Sequence, residues 1–94
     1  MVYLASYEIV GIHLKDKESN KERNITDVLL NDGTIEPVDL VVRYINSDIP
    51  YYFVSRDKIK AVIEDYYPQN KTPYIKTKHN QLLNGQSMLN LPRF

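Results

Sequence analysis

The chain has 94 residues, of which 43% are hydrophobic, so it has room for one small domain with a single core. It contains no cysteine, which excludes a disulfide framework and a cysteine-based zinc site and fits a reducing cytoplasm. Its apolar runs are far shorter than the roughly 20 residues that span a bilayer. The sequence therefore predicts one cytoplasmic domain over residues 1–94, with no signal peptide and no membrane contact.

Charge is unevenly distributed along the chain, although the formal net charge is zero. All 12 acidic residues lie between Glu8 and Asp65 together with eight Lys or Arg, so this part carries −4. Residues 66–94 contain four basic and no acidic side chains, which gives +4. This asymmetry indicates that the basic end either lies across the acidic body and partly neutralises it, or binds an anion or a protein partner.

The first predicted strand runs from Tyr3 to Leu14. Gly11 interrupts it and predicts a bulge or a close approach by another backbone. The polar stretch from Lys15 to Asn24 predicts a solvated connector, with an exposed recognition loop as the alternative. In the first strand, simple alternation places Val10, Ile12 and Leu14 on one face and Tyr7, Ile9 and His13 on the other.

A second strand is predicted from Ile25 to Leu30, with Ile25 and Leu29 on one face and Val28 and Leu30 on the other. It ends at Asn31-Asp32-Gly33, because Gly supplies the positive φ of a tight turn.

A helix is predicted from Pro37 to Asn46, because Pro suits the first helical position and Asp39 favours the positive end of the helix dipole. Its apolar stripe comprises Val38, Val41 and Ile45, with Leu40 and Tyr44 beside them.

Tyr51 to Val54 is predicted to be a strand from its aromatic and β-branched content. Ile59 to Asp65 fits both strand and helix spacing, and the strand is preferred because the segment is short and follows a plausible hairpin connection at Arg56-Asp57-Lys58. Tyr66 to Pro73 is predicted to be a loop, and Tyr74 to Lys78 a last short strand. The remaining tail is predicted to fold back onto the body through five apolar residues, Leu82, Leu83, Met88, Leu89 and Leu91.

Together these elements predict an α+β fold. It consists of an antiparallel sheet of four to five strands in the order β-β-α-β-β, one helix packed on a face, and an ordered C-terminal tail.

Three stretches of the chain resemble a family of uncharacterised bacterial and phage proteins, the domain of unknown function 3892. They are Asp32-Gly33 before the helix, Tyr74-Ile75-Lys76-Thr77, and Asn90-Leu91-Pro92. Asn80 stands where the family tends to have Asp, Ser87-Met88 where it has Asn-Leu, and the intervening segment is one residue longer. The resemblance implies a bacterial, phage or plasmid origin and a strand at Ile59 to Asp65, and it implies no activity.

The two histidines, His13 and His79, have no Asp or Glu at metal-ligand spacing, so neither is predicted to be a ligand or a general base. The glycines are isolated, which excludes a phosphate-cradling loop. We therefore predict no metal site, no cofactor and no enzymatic activity.

The chain contains eight Tyr and no Trp, and Tyr is common where a surface is both apolar and wet, as at protein interfaces. The pairs Tyr51-Tyr52 and Tyr66-Tyr67 place one ring of each pair on each face of a strand. The favoured hypothesis is a protein-interaction module that self-associates through a sheet edge.

The alternative hypothesis is a binder of nucleic acid or a nucleotide-like anion. Lysines that attract phosphate interleave in the basic segment with tyrosines on which bases stack. The candidate binding residues are Tyr66, Tyr67, Lys71, Tyr74, Lys76 and Lys78.

Overall fold

The computed structural model describes residues 6–54, 58–78 and 88–94. They form six strands, one α-helix and two short 3-10 helices, at Glu22–Asn24 and Met88–Asn90. The parts of the predictions that concern Tyr3, Arg56, Asp57, His79, Asn80, Leu82, Leu83 and Ser87 lie outside the described residues. The main elements are β1 (Tyr7–Leu14), β2 (Ile25–Leu30), β3 (Ile35–Pro37), α1 (Val38–Asn46), β4 (Tyr51–Val54), β5 (Lys60–Tyr66) and β6 (Tyr74–Thr77).

The strands form one mixed sheet in the order β3-β2-β1-β4-β5-β6. β1 and β4 pair in parallel, whereas the other neighbours are antiparallel. The α+β class is confirmed, but the prediction of four to five antiparallel strands is wrong in number and in direction. β3 was missed because it has only three residues, and β4 is parallel to β1 because a helix connection separates them.

Gly11 lies at a bulge in β1, where the register moves from Ile9 opposite Leu30 to Gly11 opposite Leu29. The bulge brings Ile9 to the buried side with Ile12 and leaves Val10 half-buried, so the predicted alternation is wrong at these two residues. A Cβ on Gly11 would lie 3.3 Å from the carbonyl oxygen of Pro92. The predicted bulge and close approach are therefore both present.

β2 has the predicted bounds, but its faces differ from the prediction. Ile25 is buried with Val28 and Leu30, whereas Leu29 is half-buried. The cause is a second irregularity in the β1–β2 register, where Leu14 pairs with Ile25. Simple alternation cannot anticipate such a shift.

α1 begins one residue after the predicted start, because Pro37 takes the N-cap position. The helix buries Val38, Val41 and also Val42, which the predicted stripe did not include. These side chains join those of the strands in one core, and α1 contacts β2, β3, β5 and β6. Within the described ranges no helix is long and apolar enough to cross a membrane.

The connector between β1 and β2 is mostly exposed, as predicted, but Glu22 is half-buried. Its Oε2 accepts a hydrogen bond from the backbone N–H of Thr77 in β6 at 3.1 Å. The prediction of a solvated connector is therefore wrong at Glu22, because a β6 backbone donor satisfies the carboxylate.

Residues 88–94 return to the body, which confirms the ordered tail for this segment. Met88 is fully buried, and Leu89 and Leu91 pack against the core. The N–H of Ile12 donates to the Pro92 carbonyl at 2.9 Å, and the N–H of Phe94 donates to the Ile12 carbonyl at 3.0 Å. The segment thus pairs in parallel with β1, beyond the point where β4 does.

Candidate functional site

Strands β4, β5 and β6 present a row of side chains on the face turned away from α1. The inward residues of these strands, such as Phe53 and Ile63, are buried in the core with the helix. Because successive side chains alternate, the residues between them project from the opposite face. The register aligns them as Tyr52 with Val62, Val54 with Lys60, Glu64 with Lys76, and Tyr66 with Tyr74.

Three tyrosines and three lysines of this row define what we call the tyrosine–lysine face. Lys78 belongs to it because its N–H donates to the Val62 carbonyl at 2.8 Å, which continues the β5–β6 register. Its members are Tyr52, Lys60, Tyr66, Tyr74, Lys76 and Lys78.

Two of these lysines lie over tyrosine rings. The Nζ of Lys60 is 4.3 Å from the centroid of the Tyr52 ring, and the Nζ of Lys76 is 4.3 Å from that of Tyr66. Lys76 Nζ also lies 3.7 Å from Glu64 Oε1. At partly exposed positions such contacts are each worth about 0.5–1 kcal/mol. The lysines are thus held near the rings but are easily displaced.

Tyr74, the third tyrosine of the face, forms an aromatic pair with Tyr66 at one end of β5 and β6. The Tyr66 and Tyr74 ring centroids are 5.3 Å apart, with 57° between the ring planes. Tyr66 is 41% exposed, so this pair is accessible to a ligand.

Of the six candidate binding residues, the structure brings four together on this face: Tyr66, Tyr74, Lys76 and Lys78. Tyr67 follows the strand, and its hydroxyl accepts a hydrogen bond from the Asn46 amide of α1. Lys71 is exposed in the turn before β6. Sequence reasoning missed Tyr52 and Lys60, which only the β4–β5 register places beside the others.

A buried tyrosine holds β4 beneath the face. Tyr51 is fully buried, its hydroxyl donates to Glu36 Oε1 at 2.7 Å, and its ring centroid is 5.4 Å from that of Tyr7. Burial raises the pKa of Tyr51, and the contact with Glu36 raises it further, so the hydroxyl stays protonated and keeps donating. The predicted split of the Tyr51-Tyr52 pair between two faces is confirmed.

A carboxylate holds β6 from its outer edge. Burial raises the pKa of Glu22, although the N–H of Thr77 and the charge of Lys76 act in the opposite direction.

The two edge strands of the sheet are short. β6 has four residues, and its Thr77 already donates to the Glu22 carboxylate. The opposite edge strand, β3, has three residues and ends in Pro37, which has no N–H. Both edges are therefore poor templates for strand addition.

A surface recess of about 310 Å³ opens beside Tyr52. Glu8, Asn31 and Asp32 contribute polar groups to its lining. Asp32 Oδ1 accepts the backbone N–H of Thr34 at 2.9 Å, and this hydrogen bond lowers the pKa of the Asp32 carboxyl. The recess thus places two carboxylates and an amide next to an aromatic ring.

The described residues contain no group of three His, Cys, Asp or Glu side chains that could hold a metal ion. His13 instead packs on the C-terminal segment. Its Nδ1 forms a hydrogen bond with the Phe94 carbonyl oxygen, and the two ring centroids are 5.5 Å apart.

No protein-family model, curated protein or solved structure matches the chain. The resemblance to the domain of unknown function 3892 therefore stays a prediction.

Proposed function

We propose that this protein binds single-stranded nucleic acid on the tyrosine–lysine face. The observation that carries the proposal is the cross-strand register, which gathers three tyrosines and three lysines on one face, with Val54, Val62 and Glu64 between them. Proteins that bind single strands without sequence preference combine aromatic rings, on which bases stack, with cations that follow the phosphates. The proposal concerns binding and invokes no catalytic group.

The energies favour displacement of the lysines from the rings by bases. Lys76 is stabilised over Tyr66 by about 0.5–1 kcal/mol, whereas a base stacked on an aromatic side chain contributes about 1–3 kcal/mol. The displaced ammonium group remains on the same face, where it can pair with a phosphate. The contacts seen without ligand therefore keep the rings and the cations close to the positions that a bound strand requires.

The dimensions of the face suit an extended strand rather than one nucleotide. Tyr52 lies opposite Val62, and Tyr66 lies four residues further along β5, which corresponds to roughly 13 Å. Three lysines that contact phosphates give a slope of log K against log salt of roughly −2 for a single strand. Binding is thus expected to be weak and strongly dependent on salt.

Fluorescence anisotropy with a labelled oligothymidylate of about 12 nucleotides tests the proposal, since this length is within the usual site size. At low salt we expect Tyr66→Ala to weaken binding about tenfold, because it removes one stacking ring. Tyr67→Ala is the matched control and leaves affinity unchanged, because Tyr67 points to α1.

A charge-reversal pair tests the lysines separately. Lys76→Glu with Lys78→Glu should abolish binding, whereas Lys15→Glu with Lys17→Glu, which changes the net charge equally in the exposed β1–β2 connector, should leave most of it. Absence of binding by the wild-type protein at low salt, or equal losses in both pairs, would overturn the proposal.

A protein partner on the same face is the second candidate. Val54 and Val62 lie between the tyrosines, and the sequence pI of 6.7 is low for a nucleic-acid binder. Native mass spectrometry of protein purified gently from its host distinguishes the two candidates. A retained protein that Tyr66→Ala loses and Tyr67→Ala keeps supports this candidate, whereas a retained oligonucleotide supports the first.

A further inference from the structure

The recess beside the tyrosine–lysine face shares Tyr52 with that face. Glu8 pairs directly with Tyr52 in the parallel β1–β4 register, so its half-buried carboxylate lies next to the ring. A base that leaves the row of stacked bases at Tyr52 would therefore enter the recess with its edge toward Glu8. At about 310 Å³ the recess is at the small end of ligand pockets, a size that suits one base.

The residues that line the recess determine which chemical groups it can bind. Glu8 and Asp32 offer carboxylate oxygens and Asn31 an amide, and none of the described lining residues is a lysine or an arginine. Asp32 Oδ1 already accepts from Thr34, whereas among the described residues no hydrogen bond or ion pair engages the Glu8 carboxylate. A phosphate would be repelled by these carboxylates, whereas a group that donates hydrogen bonds would be attracted.

Among the four bases, guanine presents two adjacent donors on its Watson–Crick edge, N1–H and the 2-amino group. These two donors match the two oxygens of one carboxylate. Adenine and cytosine each present one donor group next to an acceptor, and thymine presents one donor between two acceptors. A carboxylate repels these acceptors, so none of the three bases offers it two adjacent donors. Proteins read splayed bases of single strands on this edge, and a charge-assisted bidentate pair is the strongest form of such a contact.

We propose that the recess is a guanine-binding subsite, in which Tyr52 stacks on the base and Glu8 accepts from its N1–H and 2-amino group. The inference rests on the proposed function, because the tyrosine–lysine face holds the rest of the strand. It adds a preference for one base to a face that otherwise binds without regard to sequence.

The test compares two labelled oligonucleotides of equal length, an oligothymidylate and the same sequence with one central guanine. We expect the guanine-containing strand to bind about tenfold more tightly, which corresponds to one good bidentate pair. Hypoxanthine in place of guanine lacks the 2-amino group and should lose most of this preference. Adenine or cytosine at that position should give no preference.

Variants then assign the preference to the recess. Glu8→Gln with Asp32→Asn should remove the preference for guanine and leave the affinity for oligothymidylate unchanged or slightly higher. Asp39→Asn, on the exposed side of α1, is the control and should keep the preference. Circular dichroism confirms that each variant is folded.

The outcomes separate the two proposals. If oligothymidylate binds and guanine adds nothing, the subsite is refuted and the proposed function stands. A guanine preference that survives in the Glu8→Gln, Asp32→Asn variant also refutes the subsite. If neither oligonucleotide binds, both proposals fail.

Discussion

Removal of the Met88 side chain tests whether residues 88–94 are an integral part of the core. Met88 is fully buried, so Met88→Ala removes three heavy atoms from a closed environment. If each of the three removed atoms counts as one buried methylene group worth about 0.8 kcal/mol, the lost transfer free energy is roughly 2.4 kcal/mol. The cavity left behind brings the expected loss to about 2–5 kcal/mol.

For a domain of this size, such a loss is a large part of the usual stability of about 5–15 kcal/mol. Urea unfolding followed by circular dichroism measures it, and the melting temperature should fall by roughly 8 °C or more. Asn90→Ala, an exposed change in the same short helix, should stay within about 0.5 kcal/mol. A loss below about 1 kcal/mol for Met88→Ala would show that the segment is not docked as described.

Three further changes test other parts of the fold by urea unfolding. Gly11→Val should destabilise by about 1–3 kcal/mol, since its side chain would crowd the Pro92 carbonyl; an unchanged midpoint would argue against the close approach. Tyr51→Phe should destabilise by about 1 kcal/mol, because it leaves Glu36 without its donor, and equal stability would contradict that hydrogen bond. Burial raises the pKa of the Glu22 carboxyl, so the folded state binds the carboxyl proton more tightly than the unfolded state does. The stability that this proton contributes is present below pH 4.5 and is lost as pH rises through the raised pKa. Glu22→Gln keeps an acceptor for the β6 backbone and should remove that loss, and an unaltered pH dependence would contradict the assignment.

Local signals in the sequence were sufficient for most elements. The strand at Ile25 to Leu30 and its turn follow from β-branched residues that end at an Asn-Asp-Gly stop, and Tyr51 to Val54 from aromatic content. α1 differs from its prediction by one residue because Pro37 serves as the N-cap. Each of these features depends on residues close together in the chain.

The errors come from interactions between distant residues. The bulge at Gly11 depends on how β1 meets β2, and the parallel pairing of β1 with β4 depends on where α1 returns the chain. β3 is only three residues long and has little pattern of its own. Neither periodicity nor turn chemistry contains this information.

The residues of the candidate site also fall into two groups, those that the sequence could identify and those that it could not. Tyr66 and Lys76 could be chosen from the composition of the basic segment, and they lie on one face. Tyr52 and Lys60 are distant in sequence from that segment and join it only through the β4–β5 register. Tyr67 was chosen for its residue type, whereas the end of β5 turns it toward α1.

Single-strand binding on the tyrosine–lysine face is tested by the affinity of wild type, Tyr66→Ala and Tyr67→Ala for a labelled oligothymidylate at low salt. A tyrosine–lysine face that binds single strands predicts a loss of about tenfold for Tyr66→Ala and none for Tyr67→Ala. Equal affinity of all three proteins, or no binding by any of them, would contradict the claim.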